Sequence, residues 1–263
     1  MIEALFYYLL LGAVAGVLAG MLGIGGGLII VPALLVTFKM QGFDPSVIMH
    51  LALGTSLATI VVTSLSSIRT HHQHGAVQWA VVVRLSAGIM VGALCGAFLA
   101  DQISSGWLQK IFAVFALLVA LQMALELRPE VGHHLPSRTV LAGVGGVIGV
   151  VSALIGIGGG SMTTPFLLWC GVAVRQAIAT SAACGLPIAM AGALGYWLAG
   201  LDVTGLPEWS SGYLYWPALL GVVASSVVCA SFGARMTHRL PVRVLKRVFS
   251  LLLFFIGCYL IIS

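Results

Sequence analysis

Residues Gly12–Pro32 read GAVAGVLAGMLGIGGGLIIVP, and residues Gly145–Pro165 read GGVIGVVSALIGIGGGSMTTP. At a constant offset of 133, Gly16 falls on Gly149, Gly23 on Gly156, Gly25-Gly26-Gly27 on Gly158-Gly159-Gly160, and Pro32 on Pro165. The chain carries one unit twice. Each copy is an apolar helix that runs into G-I-G-G-G and resumes as a shorter apolar run. Three adjacent glycines, each costing about 1 kcal/mol against alanine inside a helix, make that point a break in both halves. Backbone N–H groups freed by a break are expensive in a bilayer unless they meet protein, water or a ligand. Each break is therefore a candidate binding site.

Of 263 residues, 60% are hydrophobic and 7% charged, and the mean hydropathy is +1.12. Soluble domains carry roughly 25% charged residues, so this is a polytopic membrane protein. The length suits about ten segments of ~20 residues with short connections. The formal charge of +5 comes from nine Arg and three Lys placed around apolar spans, which reads as topology signalling rather than as a nucleic-acid surface. Five cysteines, all in apolar runs and without CxxC spacing, read as packing residues. The first residues lack a basic n-region, so the first segment is expected to be a retained span.

Apolar segments are placed near 4–22, 27–38, 47–68, 77–100 and 107–127, then 138–156, 160–172, 176–200, 213–234 and 243–262. Leu53-Gly54-Thr55-Ser56 resembles Ile178-Ala179-Thr180-Ser181 at an offset of 125, and Gly96-Ala97 and Phe112 match Gly233-Ala234 and Phe249 at 137. Both halves, 1–130 and 131–263, thus follow one five-segment plan within a single membrane domain. Threading the segments places Arg69, Arg84, Arg128, Arg138, Arg175, Arg235, Arg239, Arg243, Lys246 and Arg247 on one side and only Lys39 and Lys110 on the other. That bias predicts both termini outside, with loops 69–76, 128–138, 172–175 and 235–243 in the cytoplasm. An odd number of segments per unit inverts the second copy, a plan common in secondary transporters with the substrate at discontinuous helices near mid-membrane. The short segments 27–38 and 160–172 favour hairpins that dip and return.

Small residues at spacing four, Gly12-Gly16-Gly20 with Gly145-Gly149-Ala153 and Gly88-Gly92-Gly96 with Ser225-Cys229-Gly233, allow close helix packing within the chain or in a homo-oligomer. Trp79, Trp107, Trp197, Trp209, Tyr213 and Trp216 fall near segment ends, as an interfacial belt would.

Chemistry must come from few groups. A helix restarting after Gly25-Gly26-Gly27 or Gly158-Gly159-Gly160 presents free N–H groups and a positive dipole end, which suits an anion. Thr55, Ser56, Thr180 and Ser181 can add hydroxyl donors, unless those hydroxyls bond their own helices. Arg84 either attracts anions or snorkels to headgroups, and Arg175 is a loop charge or a gate. Asp44-Pro45 looks like a helix start. His71-His72-Gln73-His74 lacks an accompanying Cys or carboxylate, so a metal site is not expected there. Acidic residues all fall near segment ends and offer no obvious proton carrier.

The doubled G-x-G-G-G motif with Pro32 and Pro165, the paired Thr-Ser motifs and the two-repeat apolar plan resemble the sulfite exporter TauE/SafE family of bacterial membrane transporters. The resemblance covers essentially the whole chain. It implies movement or export of small sulfur-containing anions, sulfite or organosulfonates, across the cytoplasmic membrane. It singles out Gly23, Gly25, Gly26, Gly27, Thr55 and Ser56, and Gly156, Gly158, Gly159, Gly160, Thr180 and Ser181, as substrate-binding positions. Ala179 stands where Gly54 does and Ser161 where Leu28 does, so the two half-sites are expected to be unequal.

The expectation is therefore an all-α membrane transporter of ten segments, five plus five inverted, moving an oxyanion by alternating access. Its partners are a small anionic substrate and the bilayer, with no cofactor and no nucleic acid. An anion channel would use the same donors, and a cation or metal transporter would need the His run. An enzyme is not expected, since no HExxH, paired intramembrane carboxylates or nucleophile–base pair is visible.

Overall fold

The computed structural model describes residues 2–22, 26–125, 135–236 and 242–262. The described residues form ten helices in order: α1 (Ile2–Leu22), α2 (Gly27–Met40), α3 (Ile48–Gln73), α4 (Trp79–Asp101), α5 (Ser105–Ala124), α6 (Arg138–Ile155), α7 (Gly160–Trp169), α8 (Val174–Ala199), α9 (Trp216–Met236) and α10 (Val242–Ile262). A small antiparallel hairpin, β1 (Ser210–Ser211) with β2 (Leu214–Tyr215), precedes α9. Helices α3, α4, α5, α6 and α8 are long and apolar enough to cross a bilayer. By contrast α2 and α7, at 14 and 10 residues, fall short of the ~30 Å hydrocarbon core at 1.5 Å per residue. Val83, Val91, Leu118, Val147 and Phe255 stand exposed on the outer faces of α4, α5, α6 and α10. In water such a surface would aggregate, whereas in lipid it is the solvent-compatible one. The chain is an all-α polytopic membrane protein.

Three local expectations are corrected. Helix α3 runs to Gln73 and takes in His71 and His72, which the sequence reading placed in a loop. Its start comes three residues after Pro45: Asp44 instead accepts the Ser46 N–H at 2.8 Å on its carboxylate and the Val47 and Ile48 N–H groups on its carbonyl. Tyr213, assigned to an interfacial belt, is buried in the hairpin, whereas Trp79, Trp107, Trp197, Trp209 and Trp216 are exposed.

Contacts recur at the sequence offsets. A Cβ added to Gly145 would lie 2.5 Å from the Leu85 carbonyl oxygen, and one added to Gly12 would collide with the Val222 carbonyl, 133 and 137 residues away from that pair. Gly149 meets Ile89 as Gly16 meets Ser226. These contacts join α4 to α6 and α1 to α9 backbone against backbone, as small-residue stripes allow.

Equivalent helices of the two halves run antiparallel. On α3 and α8, Gly54 faces Tyr196 while Leu57 faces Gly192. On α5 and α10, Gln109 donates to the Leu260 carbonyl at 2.8 Å while Ser250 donates to that of Ala120 at 2.8 Å. That opposition is what an in-plane two-fold relation requires of an inverted repeat.

Candidate functional site

Both helix breaks use the same backbone. Gly26 (φ +73°) precedes α2 and Gly159 (φ +58°) precedes α7, each in the left-handed region that a side chain disfavours. The Gly26 carbonyl accepts the N–H groups of Ile29 and Ile30, and that of Gly159 accepts those of Met162 and Thr163. Gly156, also left-handed (φ +70°), ends α6. Gly23 and Gly25 lie outside the described residues.

The fold brings the two breaks together. A Cβ on Gly27 would stand 2.7 Å from the Gly156 carbonyl oxygen and 2.9 Å from the Ile157 Cα, so only hydrogen fits there. Ser56 on α3 donates to the same Gly156 carbonyl at 2.9 Å. Helices α3 and α8 close the second break: Ile60 packs on Gly158, Ile188 on Gly159, and a Cβ on Gly185 would lie 3.1 Å from the Gly158 carbonyl oxygen. Gly26, Gly27, Gly156, Gly158, Gly159, Gly160, Ser56 and Ser181 are all buried.

Thr55 and Thr180 have another duty. Thr55 Oγ1 accepts the Tyr215 N–H at 3.0 Å, just before α9, and Thr180 Oγ1 accepts the Gln78 N–H at 3.1 Å, just before α4. Each satisfies a backbone donor at the start of a helix from the opposite half, where no intrahelical acceptor exists.

Among the described residues five buried hydroxyl oxygens have no partner: Ser152 on α6, Ser161 and Thr163 on α7, Ser181 on α8, and Ser210 in the hairpin. Among the described residues no acceptor meets the N–H groups of Gly158, Gly159 or Ser161. Apart from Ser210, the donors left over lie on the helices that meet at the second break. Arg84 is not brought there. It lies one turn before Gly88, which packs on Ala142 near the start of α6, more than ~20 Å of helix from Gly156. Arg175 is exposed at the start of α8, beside His71.

Sequence reasoning passed over His50. This side chain is 4% exposed; its Nε2 lies 3.1 Å from the carbonyls of both Ala100 and Ile103, which makes Nε2–H the donor, and its ring stacks on Tyr213 at 4.9 Å. The Tyr213 hydroxyl donates to Asp101 at 2.8 Å; burial, and then that bond, push its pKa up and keep it a donor. The network ties the first turn of α3 to the end of α4 and to the hairpin. A lone His in an apolar helix gave no signal of it. In the His run, the Trp79 indole donates to His72 Nδ1 at 3.2 Å and His74 Nδ1 lies 2.7 Å from the Thr70 carbonyl.

The model of the family described as sulfite exporter TauE/SafE matches residues 8–260. A probable membrane transporter protein of Haemophilus influenzae is 39% identical over 249 residues, covering 93% of each chain. The probable membrane transporter protein YunE of Bacillus subtilis is 25% identical, covering 95% of each chain. Another from Methanocaldococcus jannaschii is 26% identical, covering 97% of this chain and 94% of the relative. No solved structure matches the chain.

Proposed function

The chain belongs to the sulfite exporter TauE/SafE family and is a membrane transporter, and we propose that it moves small sulfur oxyanions, sulfite or organosulfonates, across the cytoplasmic membrane by alternating access. The observation that carries this reading is the meeting of the two breaks, Gly27 against the Gly156 carbonyl with Ser56 bonded to the same oxygen. An anion needs donors already oriented in a water-poor place, and helix starts supply them without a charged side chain.

The packing supplies moving parts. Pairs α1–α9 and α4–α6 are locked backbone to backbone by glycine, and each joins one helix from either half. Between them, α3 and α8 meet through larger side chains, Leu57 and Tyr196 against glycine. Glycine-locked pairs move as bodies, and the α3–α8 crossing beside the breaks is where they change register, so that the site opens first to one side and then to the other. The direction of net movement proposed is export.

The test is uptake and efflux of sulfite, sulfoacetate and sulfate in proteoliposomes under an imposed potential and then an imposed pH gradient. Saturable movement of a sulfur oxyanion supports the reading. Single-channel currents far above carrier turnover would replace it with a channel, and no anion movement by folded protein would overturn it.

A further inference from the structure

We propose that the second break alone receives the charged head of the substrate, that Ser161, Thr163 and Ser181 donate to it, and that it accepts a singly charged SO3 head while rejecting a head that itself carries two charges. The inference rests on the transporter reading above and assigns its selectivity.

Spare hydroxyls are unusual in this protein. Thr37, Thr59, Ser64, Ser86 and Ser225 each return a bond to a carbonyl three or four residues earlier in their own helix, the ordinary fate of such side chains in apolar surroundings. Ser161, Thr163 and Ser181 do not. Thr163 is fully buried, with Oγ1 3.3 Å from where a Cβ on Gly159 would stand, so it is aimed at the break. Ser181 is 1% exposed and lies one turn before Gly185, on the α8 face that meets Gly158. A buried hydroxyl without a partner loses the hydrogen bonds that water gave it, and a ligand oxygen restores them.

The first half has spent or lost the equivalent groups. Leu28 stands for Ser161 and Ile30 for Thr163, both buried, and Ser56, the counterpart of Ser181, is committed to Gly156. The head therefore sits toward α7 and α8, and any carbon portion sits against the first half.

Charge follows from the same inventory. The side chains nearest the glycines of the second break are Ile60, Ile188, Leu53, Val31, Thr163 and Ser56, none of them charged. Positive potential comes from the start of α7, equivalent to about half an elementary charge, and from neutral donors. The cost of taking an ion out of water grows with the square of its charge, so a dianion faces about four times the penalty of a monoanion while its attraction to these dipoles only doubles. Hydrogensulfite and sulfonates satisfy the condition; sulfate and the doubly charged form of sulfite do not.

Proteoliposome transport of ethanesulfonate and sulfite, with sulfate as competitor, tests this. Ethanesulfonate is expected to be carried at the same rate from mildly acid to mildly alkaline pH, sulfite transport to fall over that range as its singly charged form is depleted, and sulfate to compete with neither. Removing two charge-assisted bonds with S161A/T163V should weaken the apparent affinity for ethanesulfonate by ~10- to 100-fold. The control T37V removes a hydroxyl already bonded to its own helix and should stay within about twofold of wild type. Sulfate competing as well as ethanesulfonate, or S161A/T163V matching wild type, overturns this assignment while leaving the transporter reading intact. Wild-type protein that moves none of the sulfur oxyanions overturns both. The wild-type competition series needs no variant to fold.

Discussion

Ser56 Oγ donates to the Gly156 carbonyl at 2.9 Å, whereas Ser181, at the matching position of the second half, has no partner. Truncating Ser56 to Ala leaves a buried carbonyl unsatisfied and should cost ~1–3 kcal/mol, read as a lower midpoint of thermal unfolding in detergent. Ser181→Ala removes no protein bond, so it should keep that midpoint within about 0.5 kcal/mol and act on transport instead. Equal thermal losses in both variants would contradict this difference.

Thr55 and Thr180 each accept a backbone N–H from the other half. Thr55→Val and Thr180→Val strand the Tyr215 and Gln78 N–H groups and should each destabilise by ~1–3 kcal/mol, while serine at either place retains most of the stability. Thermal melts of the four variants decide the matter: valine and serine behaving alike would show that the hydroxyl is idle.

A Cβ on Gly92 would overlap the Gly146 carbonyl, whereas one on Gly143 meets nothing within 4 Å. Gly92→Ala should separate α4 from α6 and cost ~1–3 kcal/mol or more, and Gly143→Ala should be neutral or stabilise by up to about 1 kcal/mol through helix propensity. Expression yield and monodispersity in detergent, with the melting midpoint, distinguish the two. A tolerated Gly92→Ala would mean that the helices are not in backbone contact.

His50→Ala deletes a stacked ring and a donor shared by two carbonyls, and Tyr213→Phe deletes only the bond to Asp101. The expected order is a larger loss for His50→Ala, ~2–4 kcal/mol, than for Tyr213→Phe, ~1–3 kcal/mol. The double variant should lose less than the sum, since the two side chains touch. Strict additivity in the melts would dissolve the network.

Ten segments were legible because apolar runs interrupted by glycine and loop charges are one-dimensional signals, and the repeat offsets carried the pairing of equivalent helices. Boundaries slipped where polar residues continue a helix, as at His71 and His72, which the last turns of α3 absorb. The hairpin at 210–215 was missed because two-residue strands leave no period to read. The difference between the two copies was visible in Ser161 against Leu28. What sequence could not give was the destination of each hydroxyl: Thr55 reaches Tyr215 and Thr180 reaches Gln78, over 160 and 102 residues. Four of the five unpartnered hydroxyl residues among those described, Ser152, Ser161, Thr163 and Ser210, carried no expected role for the same reason. Pattern locates a residue on a face, but only the fold says which face it meets.

The left-handed backbone at Gly26 and Gly159 has a genetic side. A single nucleotide change in a glycine codon reaches Ala, Val, Ser, Cys, Arg, Trp, Glu or Asp. Of these only Asp is readily found in that conformation, and it would set a carboxylate at the entrance to a helix whose positive end faces the breaks. Every other one-step mutation at either position meets the backbone as a barrier, while Asp, which the positive helix end attracts, fixes a carboxylate where the proposed anion would bind; an alternative free of both effects, such as Asn, lies at least two nucleotide changes away.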